Sequence, residues 1–195
     1  MPKRVLLVGT GLAVTVAVFV LSLAGVQPAA LSQTAMSQGQ TTSPLDELRL
    51  HLVGVHVVKE APGRQYVAHH YCQQFSEQVT QCAVFDGGKP GARLIDIEYI
   101  IPGDTYRSLS SAEQQYWHPH TYEVDGGLLT APELPPDQEQ SVLAGVRDTY
   151  GRTWHLWAGK ENPLPLGPPE LVWSITGPGQ LRQDTESELK QEQGR

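Results

Sequence analysis

Apolar and polar positions alternate in short runs from about residue 50 to residue 176, and glycine or proline bounds most runs. Such runs predict strands. Leu52–Val58 (LVGVHVV) is β-branched and reads as the first strand, with Gln65–Cys72 and Thr80–Phe85 next along the chain. The Asp86–Gly91 segment is a turn, and Ala92–Ile101 (ARLIDIEYII) is the strongest strand, stopped by Pro102-Gly103. Leu128–Thr130 reads as a short strand, and Thr153–Ala158 and Leu171–Thr176 close the series across the rigid Pro163–Pro169 connection. Helix signals are fewer. Ser43-Pro44 with Asp46 and Glu47 opens a short helix, and Ser110–Glu113 is a capping box for one that runs to about Trp117. Asp137–Gln140 starts another, running to about Tyr150 with Gly151 as its left-handed cap. The pattern predicts a single α+β domain with a mainly antiparallel sheet and two or three short inserted helices.

The ends differ from this middle. Met1-Pro2-Lys3-Arg4 precedes an uncharged apolar run, so residues 1–26 read as a signal peptide or an amino-terminal membrane anchor. Either outcome exports the remainder of the chain, to a periplasmic or membrane-anchored position facing away from the cytoplasm. Residues 27–43 read as a flexible linker, 44–181 as the domain, and 182–195 as a disordered tail with too few apolar side chains to pack. The chain carries a net charge of −7. Without Lys3 and Arg4 its 14 basic residues become 12 against 21 acids, leaving the rest at about −9. That balance excludes nucleic acid as a partner and disfavours electrostatic docking to anionic lipid. Membrane contact would come through the amino-terminal segment or apolar contact.

The candidate chemistry sits in a few words: Ala68-His69-His70-Tyr71-Cys72, Gln81-Cys82, Trp117-His118-Pro119-His120 and Thr153-Trp154-His155-Leu156-Trp157. Strand alternation puts His70 and Cys72 on one face and His69 with Tyr71 on the other. His118 and His120, two apart across a proline, present both rings to one side when extended. Glu98 and Asp96 share a face of the strongest strand. The ligand set for a divalent transition metal is therefore His118 and His120, with His70 or His155 and with Glu98 or Glu123. The alternative is a group of buried, hydrogen-bonded histidines. Cys72 and Cys82 read as a disulfide, worth about 3 kcal/mol in a loop of that size, or as free thiols, with Cys72 as a nucleophile and His70 as its base. Trp117, Tyr122, Trp154 and Trp157 are candidates to line a pocket, or else core.

With these words assembled, the chain resembles the oil body-associated protein family, which is also known as a domain of unknown function. The matching stretches are His51–His56, Ala68–Cys72, Gln81-Cys82, Ala92–Ile95 with Glu98–Ile101, Trp117–Val124, Gly127–Leu129, Thr149–Trp157 and Pro163–Gly167, which cover nearly all of 48–181. The resemblance implies a fold shared with plant proteins of seed oil bodies, and no reaction. It also opens a metal or packing role for the two cysteines. The leader and tether resemble those of bacterial members. Together these readings favour a non-catalytic exported protein that associates with lipid or membrane surfaces; a metal-binding protein or metal-dependent enzyme built on the His/Cys/Glu cluster is the alternative.

Overall fold

A computed structural model describes residues 43–159 and 162–194. The expected leader (1–26) and almost all of the linker (27–43) lie outside them. Seven strands form one antiparallel sheet: β1 (Leu50–Val58), β2 (Gln65–Ser76), β3 (Val79–Phe85), β4 (Leu94–Pro102), β5 (His118–Pro119), β6 (Thr149–His155) and β7 (Glu170–Ser174). The order is β4-β3-β2-β1-β7-β6-β5, and β4 also pairs with β6. The sheet therefore closes on itself. This corrects the expected α+β fold: the protein is a closed six-stranded antiparallel barrel with β5 as one extra strand, and its helices are few and short. The closing register runs from Asp96 opposite His155 to Pro102 opposite Thr149. Closure removes the free edges that an open sheet must protect.

Two kinds of cover explain why both faces of several strands are buried. Inside, Leu52, Ala68, Val84 and Ile100 pack with Leu129 and Ala131 from the segment after β5. The disulfide Cys72–Cys82 joins directly opposite residues of β2 and β3 within that cluster. Outside, Val53, Val55, Val57 and Val67 pack under Ile175 and Leu189. Leu189 belongs to α5 (Gln183–Glu192), so the expected disordered tail is in fact a docked helix. Its composition is polar, but Thr185 and Leu189 fall on the side that meets the barrel, and Leu181 just before the helix packs against the same cluster. Burying one leucine there contributes about 2 kcal/mol.

The remaining helices are the 3-10 turn expected after Ser43 (Pro44–Glu47) and α1 (Gly103–Ser108), α2 (Ser111–Gln114), α3 (Thr121–Asp125) and α4 (Pro136–Val146). Ser110 caps α2 as its spacing predicts, by accepting from the Glu113 amide. The helix expected to reach Tyr150 stops at Val146, and Gly151 is a strand residue rather than a helix cap. The expected strand at 128–130 is reduced to one bridge, Val53 with Thr130, along the part of β1 that β7 leaves unpaired. Among the described residues no helix is long and apolar enough to cross a membrane.

Candidate metal centre

Alternation along β4 turns Asp96 and Glu98 into the barrel, where both are almost completely buried. Each stands at the centre of a group of imidazoles. Around Glu98, the His118 Nε2 lies 3.5 Å and the His120 Nε2 3.6 Å from Oε1. His70 Nε2 lies 3.3 Å from Oε2. The short β5 pairing with β6 brings His118 into the barrel opposite Gly151. The carbonyl of Thr149 accepts from the His120 amide and fixes the next turn of chain.

The hydrogen bonds of this group set which nitrogen faces Glu98. The Thr149 hydroxyl donates to the Val146 carbonyl at 2.6 Å, so it accepts from His120 Nδ1 at 2.8 Å. The other nitrogen of the same ring, Nε2, is the one that faces Glu98. His118 is held well below the usual imidazole range by burial and by neighbouring His120, and is therefore neutral. Neither of its ring nitrogens has a hydrogen-bond partner. Two imidazole nitrogens and a carboxylate oxygen thus converge, at 3.5 and 3.6 Å from the carboxylate, with neither nitrogen of His118 hydrogen-bonded. Buried polar groups are normally satisfied, so such an orphan demands a reason.

Gly151 makes the convergence possible. A Cβ at this position would stand against Glu98 Oε1, 2.7 Å from His120 Nε2 and 2.8 Å from His118 Nε2. No side chain fits among these three donors. Gly54 does the same on β1, where a Cβ would meet Leu129 at 2.9 Å. The cavity here is about 10 Å³, and its polar lining is His56, His70, Glu98, His118, His120, Glu123 and Ser174. That is room for one small ion or water and no more. Within this group two donor triads lie with all ligand atoms within 4.8 Å of one another: Glu98, His118 and His120, and His56, His70 and Glu98.

Electrostatics follow from the same geometry. Burial acts to raise the Glu98 carboxyl, but the facing imidazoles of His120 and His70 hold it well below the carboxylate range. Burial acts to lower His70, but the Glu98 carboxylate outweighs it and raises the imidazole. Burial and the charge on Glu98 push Glu123 well above its usual range. Glu123 Oε1 lies 4.0 Å from His120 Nε2, at the edge of the triad.

Of the residues singled out from sequence, His70, His118, His120, Glu98 and Glu123 are brought together. His155 is not: its Nδ1 donates to Asp96 at 2.5 Å, in the neighbouring group. Cys72 and Cys82 are bonded to each other and supply no thiolate. The four aromatic candidates share no pocket. Trp117 donates to Glu113, Trp154 lies under the Arg152 guanidinium, and Tyr122 is exposed. Trp157 lines an outer cavity with Leu156 and Leu166. Sequence reasoning missed His56, which sits in an apolar run, and Gly151, whose only signal was its lack of a side chain.

The family described as "Protein of unknown function (DUF1264)" matches residues 42–194. Oil body-associated protein 1A of Zea mays is 42% identical over 156 residues, covering 80% of this chain and 66% of that protein. Oil body-associated protein 1B of Arabidopsis thaliana is 36% identical over 149 residues, covering 76% and 62%. Oil body-associated protein 2B of Zea mays is 35% identical over 163 residues, covering 80% and 65%. The chain thus spans just under two thirds of the length of these relatives. No solved structure matches it. On the family match and these relatives, the chain belongs to the DUF1264, oil body-associated protein-like family.

Proposed function

We propose that the barrel is a metal-binding scaffold, with Glu98, His118 and His120 as ligands of one first-row divalent ion. The observation that carries this reading is His118: a fully buried imidazole, held neutral by burial, with no hydrogen bond to either ring nitrogen and with Nε2 3.5 Å from the Glu98 carboxylate. Imidazole and carboxylate donors without thiolate suit zinc, iron, nickel or copper. Thr149 orients His120 and His70 holds the far oxygen of Glu98, which is the support that metal ligands receive from their neighbours. The small enclosed cavity favours a structural ion over a substrate-binding one. Such an ion would clasp the segment carrying β5 and α3 to the barrel wall. Elemental analysis of the full chain, purified without a histidine tag, tests this. About one equivalent of metal is expected, and Glu98→Gln should abolish it. No metal in the chain after loading with zinc, iron, nickel and copper would refute the reading.

A second reading concerns surfaces. Leu156, Leu164 and Leu166 are exposed at 40, 57 and 76%, beside Trp157. Exposed leucines on an acidic protein fit an uncharged lipid surface, and the matched relatives are named for oil bodies. The disulfide fits an oxidising, exported location. Flotation with zwitterionic vesicles tests lipid contact: a Leu164→Ser, Leu166→Ser chain should lose it, and equal flotation of both chains would remove this loop from the account.

A further inference from the structure

The second donor triad of the interior shares Glu98 with the first but meets its other oxygen. His70 Nε2 lies 3.3 Å from Glu98 Oε2 and 2.9 Å from His56 Nε2, and the two rings stand nearly perpendicular, at 86°. All three residues are buried. The outer nitrogen of each ring is already engaged. His56 Nδ1 donates to Asp96 at 2.6 Å, and the Leu52 carbonyl accepts from His70 Nδ1 at 3.4 Å. Burial acts to raise the Asp96 carboxyl, but the hydrogen bonds from His155 and His56 hold it below its usual range, so it is the acceptor. Metal-ligating histidines are oriented in this way, with the far nitrogen donating to a carboxylate or a backbone carbonyl.

At most one proton lies between two nitrogens 2.9 Å apart, so at least one of them directs a lone pair at the point between them. A divalent ion can take the place of that proton and engage both nitrogens and the carboxylate oxygen at once. Two ligand atoms about 2.0–2.1 Å from a tetrahedral ion stand about 3.3–3.4 Å apart. The edge from His70 to Glu98 already has that length. The edge from His56 to His70 must open by about 0.5 Å to reach it. In the first triad the edges to Glu98 are 3.5 and 3.6 Å and need no such opening. The first triad therefore fills first, and the second takes an ion only when metal is in excess.

We propose that His56, His70 and Glu98 Oε2 form a second divalent-metal site, so that Glu98 bridges two ions when the barrel is fully loaded. This rests on the reading of Glu98 as a ligand. It adds a site that replaces a hydrogen bond, not one that needs further empty space.

Zinc and copper titrations of the full chain test it. Zinc, followed by competition with a chelating dye, should bind in two steps, the second at least about tenfold weaker than the first. One equivalent of copper(II) should give the electron paramagnetic resonance spectrum of an isolated ion, and a second equivalent should add the half-field transition of a coupled pair. His56→Gln retains an amide donor for Asp96. It should keep the first step and lose both the second step and the half-field transition. If that variant fails to fold, the copper spectrum of the unaltered chain decides. One step with no half-field transition in excess copper would overturn this proposal and leave the first site standing. A second step that survives in folded His56→Gln would overturn it too, by placing the second ion elsewhere. No metal at any loading would remove Glu98 as a ligand, and both sites with it.

Discussion

Two carboxylates, two residues apart on one strand, face the same interior and are both ringed by imidazoles, yet they differ in how far their needs are met. Asp96 receives three donors at 2.5 to 3.1 Å and is complete. Glu98 receives one hydrogen bond at ordinary length, from Thr153 at 2.9 Å, and three imidazole nitrogens stand off at 3.3 to 3.6 Å. The first group is closed by protons. The second has the spacing that donors adopt around an ion. Two residue types thus build two different devices, and what separates them is the hydrogen bonding of the outer nitrogens and the absence of a side chain at Gly151.

The largest effect should come from breaking the closed group. Asp96→Ala leaves His56, His155 and the Tyr66 hydroxyl without their shared acceptor and should cost about 3–5 kcal/mol in urea unfolding. Added metal should not restore it. A cost that zinc restores would mean that the two groups are one site.

Gly151→Ala should act on the open group alone. Its methyl enters the space among Glu98, His120 and His118. Zinc affinity, measured by competition with a chelating dye, should fall at least about 100-fold, and the metal-free chain should itself lose about 1–3 kcal/mol in urea unfolding because the methyl displaces buried side chains. Thr149→Val is the milder version. It removes the acceptor that orients His120 and should weaken zinc about tenfold. Unchanged affinity in both variants would place any ion elsewhere.

The pH response sharpens the comparison further. Glu123 is raised above its reference value of 4.5, so the metal-free fold keeps its proton after the unfolded chain has lost it. Stability from this group is therefore full below about pH 4.5 and declines as pH rises towards the raised folded value. Asp96 is lowered, so its contribution is present above its reference value of 3.8 and is lost as pH falls below it. Unfolding of the metal-free chain between pH 5 and 7 should thus lose up to about 1.4 kcal/mol per unit through Glu123. Glu123→Gln should flatten that slope, and an unchanged slope would assign it to another group.

Much of this was legible in the sequence. The strands at Leu52, Gln65, Thr80, Leu94, Thr153 and Leu171 follow from alternation and turn residues. The pairing of His70 with Cys72 on one face follows from strand period alone. What alternation does not reveal is which face is inside. In β1 both faces are buried, one under α5 and one in the barrel, so His56 reads as a flaw in an apolar run although it faces Asp96. Closure was hidden because β4 pairs with β6 across a long excursion through four helices. Gly151 after Tyr150 looks like the end of a helix, since a glycine announces only freedom, and the crowding that requires it comes from His118, His120 and Glu98. The tail misled for the opposite reason: one leucine, Leu189, among many polar residues suffices when a ready apolar surface meets it.

The most direct measurement is X-ray absorption at the zinc edge on the full chain loaded with one equivalent of zinc. Only nitrogen and oxygen neighbours at about 2.0–2.2 Å are expected, with the outer-shell scattering of two imidazoles, and that signature should be lost in Gly151→Ala. Sulfur at about 2.3 Å, or a spectrum that Gly151→Ala leaves unchanged, would contradict a centre built on Glu98, His118 and His120.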